Sequence, residues 1–326
     1  MALFGICGAD GGSGTGQGGG QARALIIGPH RLGPDIGLSQ LAALIDRPGF
    51  DAAMFDSARC IVAGYRGSWL MNRILSDRGR MMALYMALDL HFTDPLRRGF
   101  SVVQLCDVAA RSGFASRGRM TAWVASLRLL GLLADGAPGR PRRLLPTAKL
   151  LLIVRSQMED FHQSVAQFYP LPPAVGPLLQ QDWFLAAIIA GFTELYRGGQ
   201  RILEGTPELA GLAEQEAGIT VLMSIMLKDE AGEAVTLAGL AREFYVSRAH
   251  VRGILRHVAT LGLVWRAPGA AGYQARPKLA EVMRRFFAAV CEVYVFALQC
   301  ALAQDGAGRS LAAISAADSH ARVDAD

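Results

Sequence analysis

Apolar residues recur at helical spacing in two consecutive segments within residues 236–264. Such spacing places the apolar side chains on one face of each helix. Thr236 and Ser247 precede the two segments and can accept hydrogen bonds from first-turn N–H groups, and Gly262 can end the second. The pattern therefore predicts two short helices joined by a tight turn at residues 245–246. The apolar positions are Leu237, Leu240, Ala241 and Phe244, then Val251, Ile254, Leu255, Val258 and Leu261.

A β-hairpin is predicted directly after these helices. Residues 263–266 form a short apolar run, residues 267–272 are rich in Pro and Gly, and residues 273–275 provide a return strand. Two helices followed by such a hairpin, or wing, define the winged-helix plan.

The same pattern occurs earlier in the chain, at residues 101–133, with one extra residue at the turn. A β-hairpin with its loop at residues 135–143 again follows. An internal repeat is the economical explanation. The matched pairs are Leu105 with Leu237, Ala109 with Ala241, Ser116 with Ser247, Val124 with Leu255, Leu127 with Val258, and Gly131 with Gly262.

The positive charge of the chain is concentrated in these two repeats. Residues 101–147 hold seven arginines against Asp107 and Asp135, and residues 236–277 hold six against Glu243. Each segment therefore has a net charge of +5. The net charge of the whole chain is also +5, so the residues outside the two segments are acidic in sum. A GC-rich genome would explain arginine in place of lysine, but not why acids avoid these segments. The distribution favours a polyanionic partner.

The predicted outward faces supply candidate DNA-contacting residues, because short or forked polar side chains can enter the major groove while arginines hold phosphates. Wing arginines are expected to reach a flanking minor groove. In the first repeat the candidates are Ser116, Arg117, Arg119, Thr121, Arg128, Arg140, Arg142 and Arg143. In the second they are Ser247, Arg248, His250, Arg252, Arg256, His257 and Arg266. The first wing is predicted to be the more basic one.

The rest of the chain predicts a mainly α protein with small β-hairpin wings in a tandem winged-helix arrangement. Helices are predicted at residues 50–65, 68–92, 148–168, 175–196, 207–228 and 277–303. Met81, Met82 and Met86 are predicted to pack in the core rather than line a ligand pocket. The predicted organisation is a Gly-rich disordered tail (1–21), a helical arm (22–66), a first winged-helix unit (67–169), a linker and connecting helix (170–206), a second unit (207–303) and a disordered tail (304–326).

Several function classes lack support in the sequence. The Gly-rich N-terminus has neither a preceding strand nor a following Lys-Ser/Thr pair, so it does not predict a phosphate loop. The histidines form no metal or catalytic motif, so we expect no enzyme and no cofactor. Five scattered cysteines predict buried thiols in a reducing compartment, hence the cytoplasm. Residues 286–302 are nearly all apolar, but Glu292 and Gln299 interrupt them, so a buried helix is expected rather than a membrane span.

Part of the second repeat resembles the helix-turn-helix and first wing strand of MarR-type winged-helix transcriptional regulators. The resemblance rests on Ser247, Arg248, Val251, Leu255, residues 261–264 and Arg266, and residues 144–147 resemble that family's second wing strand. It implies a homodimeric regulator that binds near-palindromic operators and often responds to small phenolic ligands.

Because two units share this chain, the resemblance implies a fused, asymmetric pseudo-dimer that contacts double-stranded DNA, alone or as a homodimer. The two reading heads would contact half-sites about one helical turn apart, ~34 Å. Two alternatives remain: a plasmid-type replication initiator with tandem winged helices, and a protein-interaction scaffold that does not bind DNA.

Overall fold

The computed structural model describes residues 38–323 except residues 137, 140, 199–201 and 267–271. The protein is mainly helical, with 68% helix and 6% strand, which confirms the mainly α class predicted from the sequence. The predicted glycine-rich tail lies outside the described residues. The helices are α1 (Leu38–Ile45), α2 (Phe50–Tyr65), α3 (Trp69–Leu75), α4 (Arg78–Phe92), α5 (Val102–Ser112), α6 (Arg117–Leu129), α7 (Ala148–Ala166), α8 (Val175–Leu178), α9 (Asp182–Arg197), α10 (Pro207–Ala213), α11 (Gly218–Glu230), α12 (Leu237–Glu243), α13 (Arg248–Thr260) and α14 (Pro277–Val323). The strands are β1 (Phe100–Ser101), β2 (Leu133–Asp135), β3 (Arg143–Pro146), β4 (Val264–Trp265) and β5 (Gln274–Ala275).

In the first repeat the two predicted helices, α5 and α6, are followed by a β-hairpin. The hairpin strands β2 and β3 pair with β1 in an antiparallel sheet of order β1-β3-β2, with Phe100 opposite Leu144. The Ser101 and Gln104 side chains form a capping box at the start of α5, and the Ser116 hydroxyl caps α6. These caps satisfy first-turn N–H groups and fix both helix starts.

The second repeat has the same order of elements. Helices α12 and α13 begin after the caps Thr236 and Ser247, and strands β4 and β5 form the following hairpin. A single β-bridge between Val235 and Tyr273 takes the place of the β1 to β3 pairing. The predicted caps of this repeat are therefore confirmed.

The correspondence between the two repeats extends beyond the predicted segments. Helices α2 and α9 each have 16 residues, α3 and α10 each have seven, and both pairs precede their helix-turn-helix segments in the same order. The first repeat therefore extends beyond its helix-turn-helix and hairpin to include α2–α7, and the second repeat likewise includes α9–α14.

The two repeats pack reciprocally. Helix α2 lies against α7 of its own repeat and α11 of the other, and α9 lies against α14 of its own repeat and α4 of the other. Where α9 crosses α14, a Cβ added to Gly191 would lie 3.0 Å from the Ala297 Cα, so a larger residue would require the two helices to move apart by a few tenths of an ångström. Each repeat thus completes its core with a helix from the other.

Three helices predicted as continuous are each broken in two. Residues 68–92 divide into α3 and α4 because the Asp77 side chain accepts from the Arg80 N–H and starts a new helix. Residues 207–228 divide into α10 and α11 at Ala217, which has a left-handed φ of 59°. Residues 175–196 divide into the short α8 and α9. Helical periodicity continues across each break, so it did not reveal them.

Helix α14 does not end near residue 303 but continues to Val323. Alanine is frequent in this extension, and it has the highest helix propensity. Among the described residues, one segment, Pro277–Gln304, is long and apolar enough to cross a membrane, but 67% of its most apolar window is buried inside the protein. The buried packing agrees with the predicted core helix.

The methionines and cysteines that the sequence places in the core are buried or half-buried. Met81 and Met86 are 1% and 0% exposed, which confirms their prediction as core residues. Cys106 and Cys291 are buried and Cys60 and Cys300 half-buried, all as free thiols.

Candidate nucleic-acid interface

Three arginines form an unpaired stripe along the exposed face of α13. The side chains of Arg248, Arg252 and Arg256 are exposed, and none of these side chains makes a hydrogen bond or ion pair with another described residue. They are four residues apart, so each step rises about 6 Å along the helix axis. The opposite face of α13 is buried through Val251, Ile254, Leu255 and Val258, as predicted.

The other exposed residues of α13 are mostly small and offer few polar groups. Ala249, Gly253 and Ala259 are exposed, and a Cβ added to Gly253 would meet no atom within 4 Å. The Thr260 hydroxyl donates to the His257 carbonyl at 2.7 Å. A flat surface without bulky side chains therefore lies beside the arginine stripe.

The two histidines of α13 do not belong to this exposed face, contrary to the prediction. His250 is half-buried, and its Nε2 lies 2.8 Å from the carbonyl oxygen of Glu216. His257 is also half-buried, with its Nε2 near Gly211 on α10. Both rings face the second repeat's own α10 to α11 region, because their positions lie on the side of α13 away from the arginines.

In the first repeat the corresponding helix α6 is largely neutralised. Arg119, which occupies the same position in α6 as His250 in α13, donates to the buried Asp77 carboxylate at 2.7 Å. Asp77 is 3% exposed and caps α4, whereas the Arg119 side chain is 38% exposed. Arg119 is therefore half-buried and bonded within its own repeat, and its contact with DNA stays a prediction.

The remaining candidates on α6 are exposed but already bonded. Arg117 is 68% exposed and donates to Asp107 on α5 at 3.1 Å. The Thr121 hydroxyl donates to the Arg117 carbonyl at 3.0 Å. An exposed pair of this kind contributes little to stability, but it offsets the charge of one of the three α6 arginines.

The described arginines of the first hairpin are bonded within the protein. Arg128 and Arg142 share the Asp135 carboxylate, with Arg142 Nε at 2.9 Å. Hydrogen bonds from the Arg142 guanidinium lower the pKa of Asp135, so the carboxylate stays charged. Arg143 donates to the Gly99 carbonyl at 2.8 Å and lies 3.6 Å from Asp94. Arg140 lies outside the described residues.

Three candidates have roles within their own repeats. The Ser116 and Ser247 hydroxyls accept from the backbone N–H groups of Arg119 and His250 as helix caps. The Arg266 guanidinium lies 5.9 Å from the centroid of the Tyr273 ring on the return side of the second hairpin.

The sequence missed both the neutralising acids and three further cations. Asp77 and Asp94 lie outside residues 101–147, so the charge count by segment did not include them. The side chains of Arg111, Arg242 and Arg276 are exposed and have no hydrogen bond or ion pair with another described residue. Their signal was their exposure, which periodicity did not reveal. Comparison of the chain with protein-family models, curated proteins and solved structures finds no match.

Proposed function

We propose that this protein is a cytoplasmic, sequence-specific regulator of transcription that binds double-stranded DNA, and that each repeat is a winged-helix unit of one fused pseudo-dimer. The observation that carries the proposal is the unpaired stripe formed by Arg248, Arg252 and Arg256. Unpaired arginines on an exposed helix after a helix-turn-helix are suited to phosphate and base contacts.

The two units have unequal roles in this proposal. Helix α13 enters the DNA groove, and α6 serves mainly to hold the fold together through the Arg119 to Asp77 contact. The resemblance to MarR-type regulators supports the same class of function, with the difference that one chain carries both units.

The salt dependence of binding tests this proposal. Each phosphate contact contributes about −0.9 to the slope of log affinity against log salt concentration on duplex DNA. We expect wild-type protein to give a clearly negative slope on genomic fragments. The triple variant Arg248→Ala, Arg252→Ala, Arg256→Ala should flatten that slope by about 0.9 for each of the three arginines that contacts a phosphate.

A matched variant in the first repeat provides the control. Arg117→Ala, Arg128→Ala and Arg142→Ala remove the same charge from exposed arginines that are bonded to acids. This variant should retain most of the slope. A wild-type slope near zero, or equal losses in the two variants, would reject the assignment.

The alternatives predict different results. A replication initiator would bind iterated repeats at an origin rather than promoters. An interaction scaffold would show no salt-dependent binding to duplex DNA and would co-purify with a protein partner.

A further inference from the structure

We infer that α13 recognises guanine, so that each chain reads one guanine-containing half-site through the major groove. The inference rests on the proposed function and adds the base identity that the helix can distinguish. It follows from the polar groups that the exposed face of α13 offers.

The free polar hydrogens on the exposed face of described α13 residues belong to arginines. The Ser247 hydroxyl is engaged as the helix cap, and the Thr260 hydroxyl donates to its own helix. His250 and His257 face α10 and the loop after it. Direct hydrogen-bond readout by the described residues of α13 therefore depends on Arg248, Arg252 and Arg256.

Arginine matches one base best. Its forked N–H groups bond the O6 and N7 acceptors of guanine, whereas adenine is read by Asn or Gln and cytosine by Asp or Glu. The exposed face of α13 carries none of these four residue types. The exposed methyl groups of Ala249 and Ala259 suit contact with a thymine methyl.

Small residues allow the helix to approach the bases. Ala249 and Gly253 lie next to the stripe, and no atom lies within 4 Å of a Cβ added to Gly253. When the helix backbone comes close to the groove floor, the arginine side chains can reach the edges of the nucleobases.

The first repeat does not offer an equivalent reader. When the caps Ser116 and Ser247 are aligned, Arg252 corresponds to Thr121 and Arg256 to Ala125. Only Arg248 has an arginine counterpart, Arg117, which is bonded to Asp107. One chain therefore reads one half-site, and a palindromic operator would need two chains.

Base substitution in a bound duplex tests the inference. A site is first selected from random duplexes with the full-length protein. Each guanine is then replaced by 7-deazaguanine, which lacks the N7 acceptor, and affinity is measured by fluorescence anisotropy. We expect about a tenfold or greater loss at one or more guanines, and little change when adenines are replaced by 7-deazaadenine.

Single-arginine variants assign the reader. In Arg248→Ala, Arg252→Ala or Arg256→Ala, the penalty of 7-deazaguanine at the contacted base should disappear, and Arg117→Ala should retain it. All four side chains are exposed, and thermal melting verifies that each variant is folded. Selected sites without guanine, or equal affinity for 7-deazaguanine duplexes, would overturn the inference while leaving DNA binding intact. Failure to bind any duplex would overturn the proposed function, and this inference with it.

Discussion

The Arg119 guanidinium lies 2.7 Å from the Asp77 carboxylate and joins the second helix of the first helix-turn-helix to the start of α4. Asp77 also pairs with Arg80 at 3.0 Å, so its buried charge has two cationic partners. Removing one leaves the carboxylate buried and partly satisfied. We expect Arg119→Ala to lower the free energy of unfolding by about 1–3 kcal/mol, measured by urea denaturation.

The same variant tests whether Arg119 has a structural role rather than the proposed role in DNA binding. Thr121→Ala, two residues away on the same helix, serves as a control because its exposed hydroxyl bonds only its own helix. Arg119→Ala should leave the affinity for DNA unchanged once the protein is folded. A stable variant with weakened DNA binding would contradict the internal role of Arg119.

Glu243 joins the two repeats and provides a second prediction. Its side chain is 8% exposed and accepts from Lys228 at 2.9 Å, Arg66 at 2.8 Å and the Ser224 hydroxyl at 3.1 Å. Burial favours a raised pKa, but the hydrogen bonds from Lys228 and Arg66 outweigh it and lower the pKa of Glu243. Glu243→Gln should therefore reduce stability at neutral pH by about 1–3 kcal/mol.

The pH dependence of that loss follows from the lowered pKa. The stabilisation is present above the ordinary pKa of a glutamate and is lost as the pH falls through the lower folded-state pKa. The difference in unfolding free energy between wild type and Glu243→Gln should accordingly shrink on acidification. Glu233→Gln is the control, because Glu233 is an exposed glutamate ten residues before Glu243, and this variant should behave like wild type. A difference that stays constant with pH would contradict the assignment.

The pKa of Glu292 is shifted in the opposite direction from that of Glu243. It is 8% exposed in α14, and neither carboxylate oxygen has a hydrogen-bond partner among the described residues. Burial raises the pKa of Glu292 to about 7. The folded state therefore holds a proton that the unfolded state has released, and stability falls as the pH rises from the ordinary glutamate pKa to about 7.

Replacement by glutamine removes this titration. Glu292→Gln should stabilise the protein at about pH 8 by roughly 2–3 kcal/mol and have little effect at about pH 4. Denaturant unfolding at both pH values measures the difference. Equal effects at the two pH values would show that Glu292 does not titrate in this range.

Gly253 links the stability of α13 to its function. Glycine in a helix interior is less favourable than alanine by about 0.5–1 kcal/mol, and the open space around Gly253 removes any packing reason for it. Gly253→Ala should raise the melting temperature and weaken DNA binding through a more distant helix. Gly118→Ala, at an equally open position in α6, should raise stability without changing the affinity.

The sequence predicted the elements of the fold better than their breaks. Apolar spacing and the caps Ser116 and Ser247 identified both helix-turn-helix segments, because these signals are local. The break at Ala217 involves a contact between distant segments, in which the Ala217 N–H donates to the Ser76 carbonyl at 3.3 Å. Such contacts leave no periodic signal.

The site shows the same division. Exposure of Arg248, Arg252 and Arg256 follows from helical periodicity, which was readable. The neutralisation of Arg119 by Asp77 and of Arg143 by Asp94 involves acids more than 40 residues away in the chain. Charge counts by segment therefore overestimated the number of free arginines in the first repeat relative to the second.

The reciprocal packing of α2 and α9 has a consequence for how the two halves of this chain can diverge. In a symmetric homodimer, every substitution appears at both equivalent positions. Here the two halves are encoded separately, so Arg117 can acquire an acidic neighbour while Arg248 keeps none. Covalent linkage thus allows a substitution in one half that stabilises the fold without imposing the same substitution on the equivalent position of the other half.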